Sequence, residues 1–173
     1  MRRSASRGFP PIAAPDARVL VLGSLPGTVS LAARQYYAQP HNAFWRIMGE
    51  LFGAGPDVPY AARADRLRAS GIALWDVCRE AVRPGSLDAA IDLTTVVTND
   101  FKRFFSEHPR IAHVCVNGGT ARRLYVHRVQ PLLPEPLASL PLHLLPSTSP
   151  AHASLRFGQK LERWRLLERL LAA

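Results

Sequence analysis

A chain of 173 residues with 47% hydrophobic content has room for one domain with a packed core, and no apolar run approaches the roughly 20 residues of a membrane span. A formal charge of +9 favours a polyanionic partner, and all its basic residues except Lys102 and Lys160 are arginine. The two cysteines, Cys78 and Cys115, form no CxxC pair, which argues against a zinc or iron–sulfur site and fits a reducing cytosol. Residues 1–17 are basic but lack the apolar centre of a signal peptide, so they read as a flexible tail ahead of a single domain over 18–173.

In Val19–Leu22, four apolar residues run into Gly23-Ser24-Leu25-Pro26-Gly27. This predicts a buried parallel strand with a loop at its carboxyl end, where open α/β sheets bind ligands. Tyr36-Tyr37, Gln39-Pro40-His41-Asn42 and Phe44-Trp45 follow. Aromatics interleaved with amides and a histidine suit a flat, polar-edged ligand such as a nucleobase. Phe44, Ile47, Met48 and Leu51 fall at helical spacing, so Ala43–Phe52 is expected to be a helix capped by Asn42 and stopped at Gly53. Tyr60–Ala69 reads as a second helix, Ile72–Val77 as a strand, and Pro84-Gly85-Ser86-Leu87-Asp88 as a turn into a short helical segment. A helix over Asp100–Glu107 and a strand over Ile111–Val116 come next, then Asn117-Gly118-Gly119 and a helix from Thr120 to about Arg128. Beyond a proline-stiffened connection, Pro141–Leu145 is a fourth strand, followed by Pro146-Ser147-Thr148-Ser149-Pro150-Ala151-His152. Ser154–Leu171 reads as one amphipathic helix with Leu161, Trp164, Leu167 and Leu171 inward and Lys160 among the outward basic residues. The alternation of strands and helices predicts an α/β fold: helices sandwich a mostly parallel sheet, and three strand-end loops converge.

Several chemistries are excluded. The chain has no GxxxxGK[ST] phosphate loop, GxGxxG turn, GxSxG elbow or HExxH pair, and its histidines lack metal-ligand spacing. Neither lysine lies in a strand-end loop, which removes Schiff-base chemistry. An enzyme built from these loops uses water as nucleophile, positioned by uncharged side chains. They hold no evident carboxylate base, and Asp76 at a strand end is the reserve candidate.

GSLPG, YYAQPHNAFW, LWDVCREAVRPGSLD, VNGGTA and LPSTSPA, in that order over about Val19–Trp164, resemble the hypoxanthine-DNA glycosylase branch of the uracil-DNA glycosylase superfamily. The resemblance implies a three-layer α/β/α sandwich around a four-stranded parallel sheet. It implies hydrolysis of the N-glycosidic bond of a deaminated base, hypoxanthine favoured, as the first step of base excision repair, without lyase activity. Asn42 inherits the catalytic role. Tyr37 matches the aromatic that stacks on the flipped base and Asn117 a second polar residue of the base pocket, which also draws in Gly23, Ser24, Leu25, Gln39, Phe44 and Gly118. Pro146 and Ser147 match a phosphate grip; Thr148, Ser149, Pro150 and Ala151 match a wedge that enters the duplex, with His152 at its end. Leu25 and Leu145 replace polar residues of other branches, and Gln39 and His152 stand where His and Asn are expected.

The chemistry suits these residue types. Flipping costs a few kcal/mol and needs a snug pocket, and cleavage builds negative charge on the base, which aimed donors stabilise. Asn117 and the N–H groups of Gly118 or Ser24 are the candidate donors, and the Asn42 carbonyl would orient the water. Hypoxanthine and uracil present the same acceptor–donor pair to one amide, so a uracil or mismatch glycosylase is the alternative substrate reading. A non-catalytic nucleic-acid-binding module is the alternative class. Asn42 also reads as a plain N-cap and Asn117-Gly118-Gly119 as a plain turn. The expected partner is DNA bearing a deaminated base, bound by a monomer without metal, cofactor or membrane, in the cytoplasm with the nucleoid.

Overall fold

A computed structural model describes residues 4–173. Strands β1 (Ser6–Arg7), β2 (Val19–Gly23), β3 (Ile72–Asp76), β4 (Cys78–Ala81), β5 (Val97–Thr98), β6 (His113–Asn117) and β7 (Leu142–Leu145) alternate with helices. These are α1 (Thr28–Ala33), α2 (Phe44–Phe52), α3 (Tyr60–Ala69), α4 (Phe101–Glu107), α5 (Gly119–Leu124), α6 (Phe157–Trp164) and α7 (Leu166–Ala172). The main sheet has the order β3-β2-β6-β7 with every neighbour parallel. The chain is an α/β/α sandwich, as the alternation predicts.

β2 is buried at every residue because it has a partner on each edge and helices over the sheet faces. Two aromatic groups pack the layers: Tyr36, Tyr37, Phe44, Trp45 and Trp164 form one, Trp75, Phe101, Phe104 and Tyr125 the other. The chain lays β3 on one side of β2 and then crosses to lay β6 on the other. That reversal opens a crevice beyond the carboxyl ends of β2 and β6. Gly23, Asp76, Asn117 and Leu145 are the last residues of the four parallel strands.

Three expectations are corrected, and one element is new. The N-terminal segment is no loose tail from residue 4 on: β1 pairs antiparallel with β4, Ile12 bridges Leu74, and the Phe9 carbonyl accepts from Trp75 Nε1 at 3.0 Å. Residues 1–3 of that expected tail lie outside the described residues. A second sheet, β1-β4-β5, carries no apolar periodicity that would have revealed it. The closing helix is two: Glu168 N–H bonds Arg165 C=O at 3.1 Å, a tight turn that separates α6 from α7. Lys160 is buried rather than outward, its ammonium donating to the Ser149 carbonyl at 3.3 Å.

Candidate active site

A cleft of about 610 Å³ opens at the crevice, within the usual range of small-molecule sites. It brings together Gly23, Ser24, Leu25, Tyr37, Gln39, Asn42, Asn117, Gly118, Ser147, Thr148, Ser149, Pro150 and His152 from three strand-end loops and the approach to α2.

Tyr37 is held in a left-handed backbone conformation, φ +53°, which a bulky residue adopts only when its surroundings impose it. The neighbours do so. Trp45 Nε1 donates to Tyr36 C=O at 2.7 Å, Tyr36 N–H to the Tyr60 hydroxyl at 3.0 Å, and Ala38 N–H to Ser30 Oγ at 3.0 Å. The Tyr37 ring stacks on Phe44, centroids 4.1 Å apart. Phe44 is wholly buried and does not line the cleft, so its expected pocket role is corrected: it backs Tyr37. Burial raises the Tyr37 phenol far above its ordinary value, with nearby Asp76 adding, so the hydroxyl stays neutral.

Asn42 faces the cleft while doing a second job. Its Oδ1 accepts from Phe44 N–H at 2.9 Å, an Asx turn that leads into α2 one residue later than expected. Its Nδ2 has no hydrogen-bond partner among the described residues. Gln39 shapes the same turn: its side-chain carbonyl accepts from His41 N–H, and its main-chain carbonyl from Asn42 N–H at 2.9 Å. The next residue, Ala43, donates its N–H to Thr148 C=O at 2.9 Å, which ties this loop to the Pro146–His152 loop.

Asn117 does not have the donors expected of it. Its Nδ2 donates to the Tyr37 hydroxyl at 3.1 Å and to Thr148 Oγ1 at 3.0 Å, and its Oδ1 accepts from Thr148 N–H at 3.0 Å. Both amide hydrogens are spent within the protein, so Asn117 positions its neighbours. The Gly118 N–H is likewise taken, by Leu145 C=O at 3.0 Å. Gly118 has φ +92°, and a Cβ on it would lie 3.0 Å from Ser147 Cβ, so glycine is required for the two loops to meet there.

The second loop differs from expectation at one wedge residue and one residue of the phosphate grip. Thr148 is 1% exposed, an internal pin and not a wedge. Pro146 lies off the cleft wall, its carbonyl accepting from Trp164 Nε1 at 2.9 Å. Ser149 and His152 are half-buried and line the cleft, and Pro150 and Ala151 are exposed at its mouth.

Sequence reasoning missed the opposite wall, built by Ser86, Leu87 and Asp88. Ser86 Oγ accepts from Thr28 N–H at 2.9 Å, and Ser24 Oγ donates to Asp88 Oδ1 at 2.7 Å. Behind them the buried Arg83 donates to Leu25 C=O at 3.2 Å and to Pro26 C=O, and pairs with Asp88 at 3.5 Å. The one available signal was the PGSLD turn, which the sequence reading placed without a role. Asp76 also lines the cleft, 4% exposed, and its carboxyl is pushed up to about 7, first by burial and then by Asp88, against Arg83.

A base-sized cleft walled by a clamped aromatic and an uncharged amide, at the carboxyl ends of a parallel sheet in a basic chain, defines a protein that acts on nucleobases. The family description "Uracil DNA glycosylase superfamily" matches residues 10–170. Two curated relatives named hypoxanthine DNA glycosylase are each 36% identical to the chain. One, from Methanosarcina acetivorans, aligns over 116 residues, 66% of this chain and 72% of that protein. The other, from Methanosarcina barkeri, aligns over 113 residues, 65% of this chain and 70% of that protein. The solution NMR structure of a candidate uracil DNA glycosylase from Methanosarcina acetivorans superposes with a TM-score of 0.77 at 31% identity, covering 96% of this chain and 99% of that one. The chain belongs to the uracil DNA glycosylase superfamily.

Proposed function

We propose that this DNA glycosylase removes hypoxanthine from DNA by hydrolysis, without a lyase step. The observation that carries the reading is the convergence of Asn42, Tyr37 and the Asn117-braced loop on one cleft large enough for a purine. The flipped base stacks on the exposed side of Tyr37, whose other face rests on Phe44. Asn42 holds the attacking water at C1′. Its Oδ1 keeps a second lone pair beyond the bond to Phe44 N–H, and its Nδ2 is a further polar contact. Pro150 and Ala151, exposed at the mouth, fill the gap the base leaves. The protein acts as a monomer without metal or cofactor, in the cytoplasm with the DNA. The curated relatives' name, hypoxanthine DNA glycosylase, supports the substrate.

The test is a nicking assay on duplexes carrying deoxyinosine, deoxyuridine or undamaged bases. Strand breaks are expected with deoxyinosine, and only after alkali or an abasic-site nuclease. Faster cleavage at deoxyuridine would move the substrate to uracil. Spontaneous scission with a borohydride-trappable adduct would overturn the hydrolytic reading.

A further inference from the structure

The cleft contains an acid that the fold leaves unpaired. Asp76 ends β3 in register with Gly23 on β2. Its Oδ2 is buried with no hydrogen-bond partner among the described residues. Gly23 has no side chain to come between: a Cβ there would overlap Asp76 Oδ1 and lie 2.7 Å from the Tyr37 hydroxyl oxygen. The carboxyl and the phenol therefore converge on one point above the central strand, on the wall of the base cleft. A buried polar group without a partner in a native fold calls for an explanation, and a bound ligand supplies one.

We propose that Asp76 is a catalytic hydrogen-bond donor, its neutral carboxyl pointing an O–H at the departing base. The assignment rests on the glycosylase reading above. When the glycosidic bond breaks, its electron pair goes to the base. The oxygen of a water forms the new bond to C1′ and its proton passes to solvent. The carboxyl keeps its proton throughout and donates a hydrogen bond to the negative charge that develops on the base. Asp76 supplies a donor where both Asn117 amide hydrogens and the Gly118 N–H are already committed.

The surroundings hold the proton on the acid below about pH 7. The charged groups facing it are Asp88, which raises its pKa, and Arg83, which lowers it; burial is the larger effect, and the value is about 7. Tyr36, Tyr37 and Cys78 nearby are all raised above their ordinary values and carry no charge at neutral pH.

The experiment is single-turnover excision of deoxyinosine between pH 5.5 and 9 by wild type, Asp76→Asn and Asp76→Ala, each checked for folding by thermal melting. Wild type is expected to hold its rate below pH 7 and lose about tenfold per pH unit above it as the donor ionises. Asp76→Asn keeps a donor that does not titrate, so it should stay within about tenfold of wild type at pH 6 and show no alkaline fall. Asp76→Ala should be slower by about 10²-fold or more. A wild-type rate that falls on the acid side, with Asp76→Asn inactive, would make Asp76 a base and overturn the proposal. An Asp76→Ala variant as fast as wild type would also overturn it. Absence of excision by folded wild type on both deoxyinosine and deoxyuridine would instead remove the parent reading, and this proposal with it.

Discussion

Two asparagines face the same cleft, and their hydrogen bonds give them different work. Asn117 makes three internal bonds that hold Tyr37 and Thr148. In Asn117→Ala the buried Thr148 N–H loses its acceptor, at a cost of about 1–3 kcal/mol. Urea unfolding should show that loss, and excision and DNA affinity should fall together because the second loop loses its pin. Asn42 gives the fold only the Asx turn to Phe44 N–H. Asn42→Ala should cost about 1 kcal/mol of stability and abolish excision, with DNA affinity nearly unchanged; parallel losses of both would reduce Asn42 to a cap. Asp76 bears on stability as well. Its folded pKa of about 7 lies above the ordinary 3.8, so folding takes up a proton between those values. The sign follows: stability from this group is fully present below about pH 4 and is lost as pH rises to 7, at about 1.4 kcal/mol per unit of displacement as an upper bound. Asp76→Asn should therefore melt higher than wild type above pH 7, with the gain shrinking as pH falls toward 4. Equal melting temperatures at pH 8 would contradict an ionised, buried Asp76.

At the scale of the element, the glycine loop after β2 is supported by a strand-end turn distant in sequence. Arg83 is buried, with one guanidinium nitrogen unpaired and the others on Leu25 C=O, Pro26 C=O and Asp88. The pair with Asp88 is screened because that carboxylate is 42% exposed, so the carbonyl contacts carry more of the support. Arg83→Met should destabilise by about 2–3 kcal/mol and speed amide exchange in the Gly23–Gly27 loop. Arg83→Lys should not restore it, since one ammonium cannot span the two carbonyls and the carboxylate in a fixed fork. This support could not be read from sequence, because Arg83 and Pro26 are 57 residues apart and nothing local in either segment announces the contact. The four parallel strands could be read, because each is a short apolar run bounded by turn residues. Asn42 and Tyr37, which the resemblance singled out, both line the cleft, whereas the use Asn117 makes of its amide depends on Thr148, which only the folded chain brings to it.

For the whole molecule, chain connectivity and charge act together. The N-terminal segment reads as a flexible tail because it is basic and lacks an apolar run, but Ile12 is buried and the Phe9 and Pro10 carbonyls accept the Trp75 indole and the Tyr36 hydroxyl. Tyr36 adjoins the strained Tyr37, so removing residues 1–12 should loosen the site along with the fold. The net charge of +9 is a different kind of property, since it belongs to no single contact. A basic protein on DNA releases condensed counterions, and log affinity falls linearly with log salt, with a slope near −0.9 per phosphate contacted on duplex. Reading a flipped base adds contacts to uncharged groups and leaves the phosphates as they were. Affinity measured by fluorescence anisotropy from 50 to 200 mM salt should therefore give parallel lines for undamaged and deoxyinosine duplexes, offset by the value of base recognition. The offset should narrow in Tyr37→Ala, which loses a stacking face worth about 1–3 kcal/mol, while the slope stays the same. A flat salt dependence would show that the arginines do not meet the phosphates, and a slope that changed with the base would place some of them inside the recognition step.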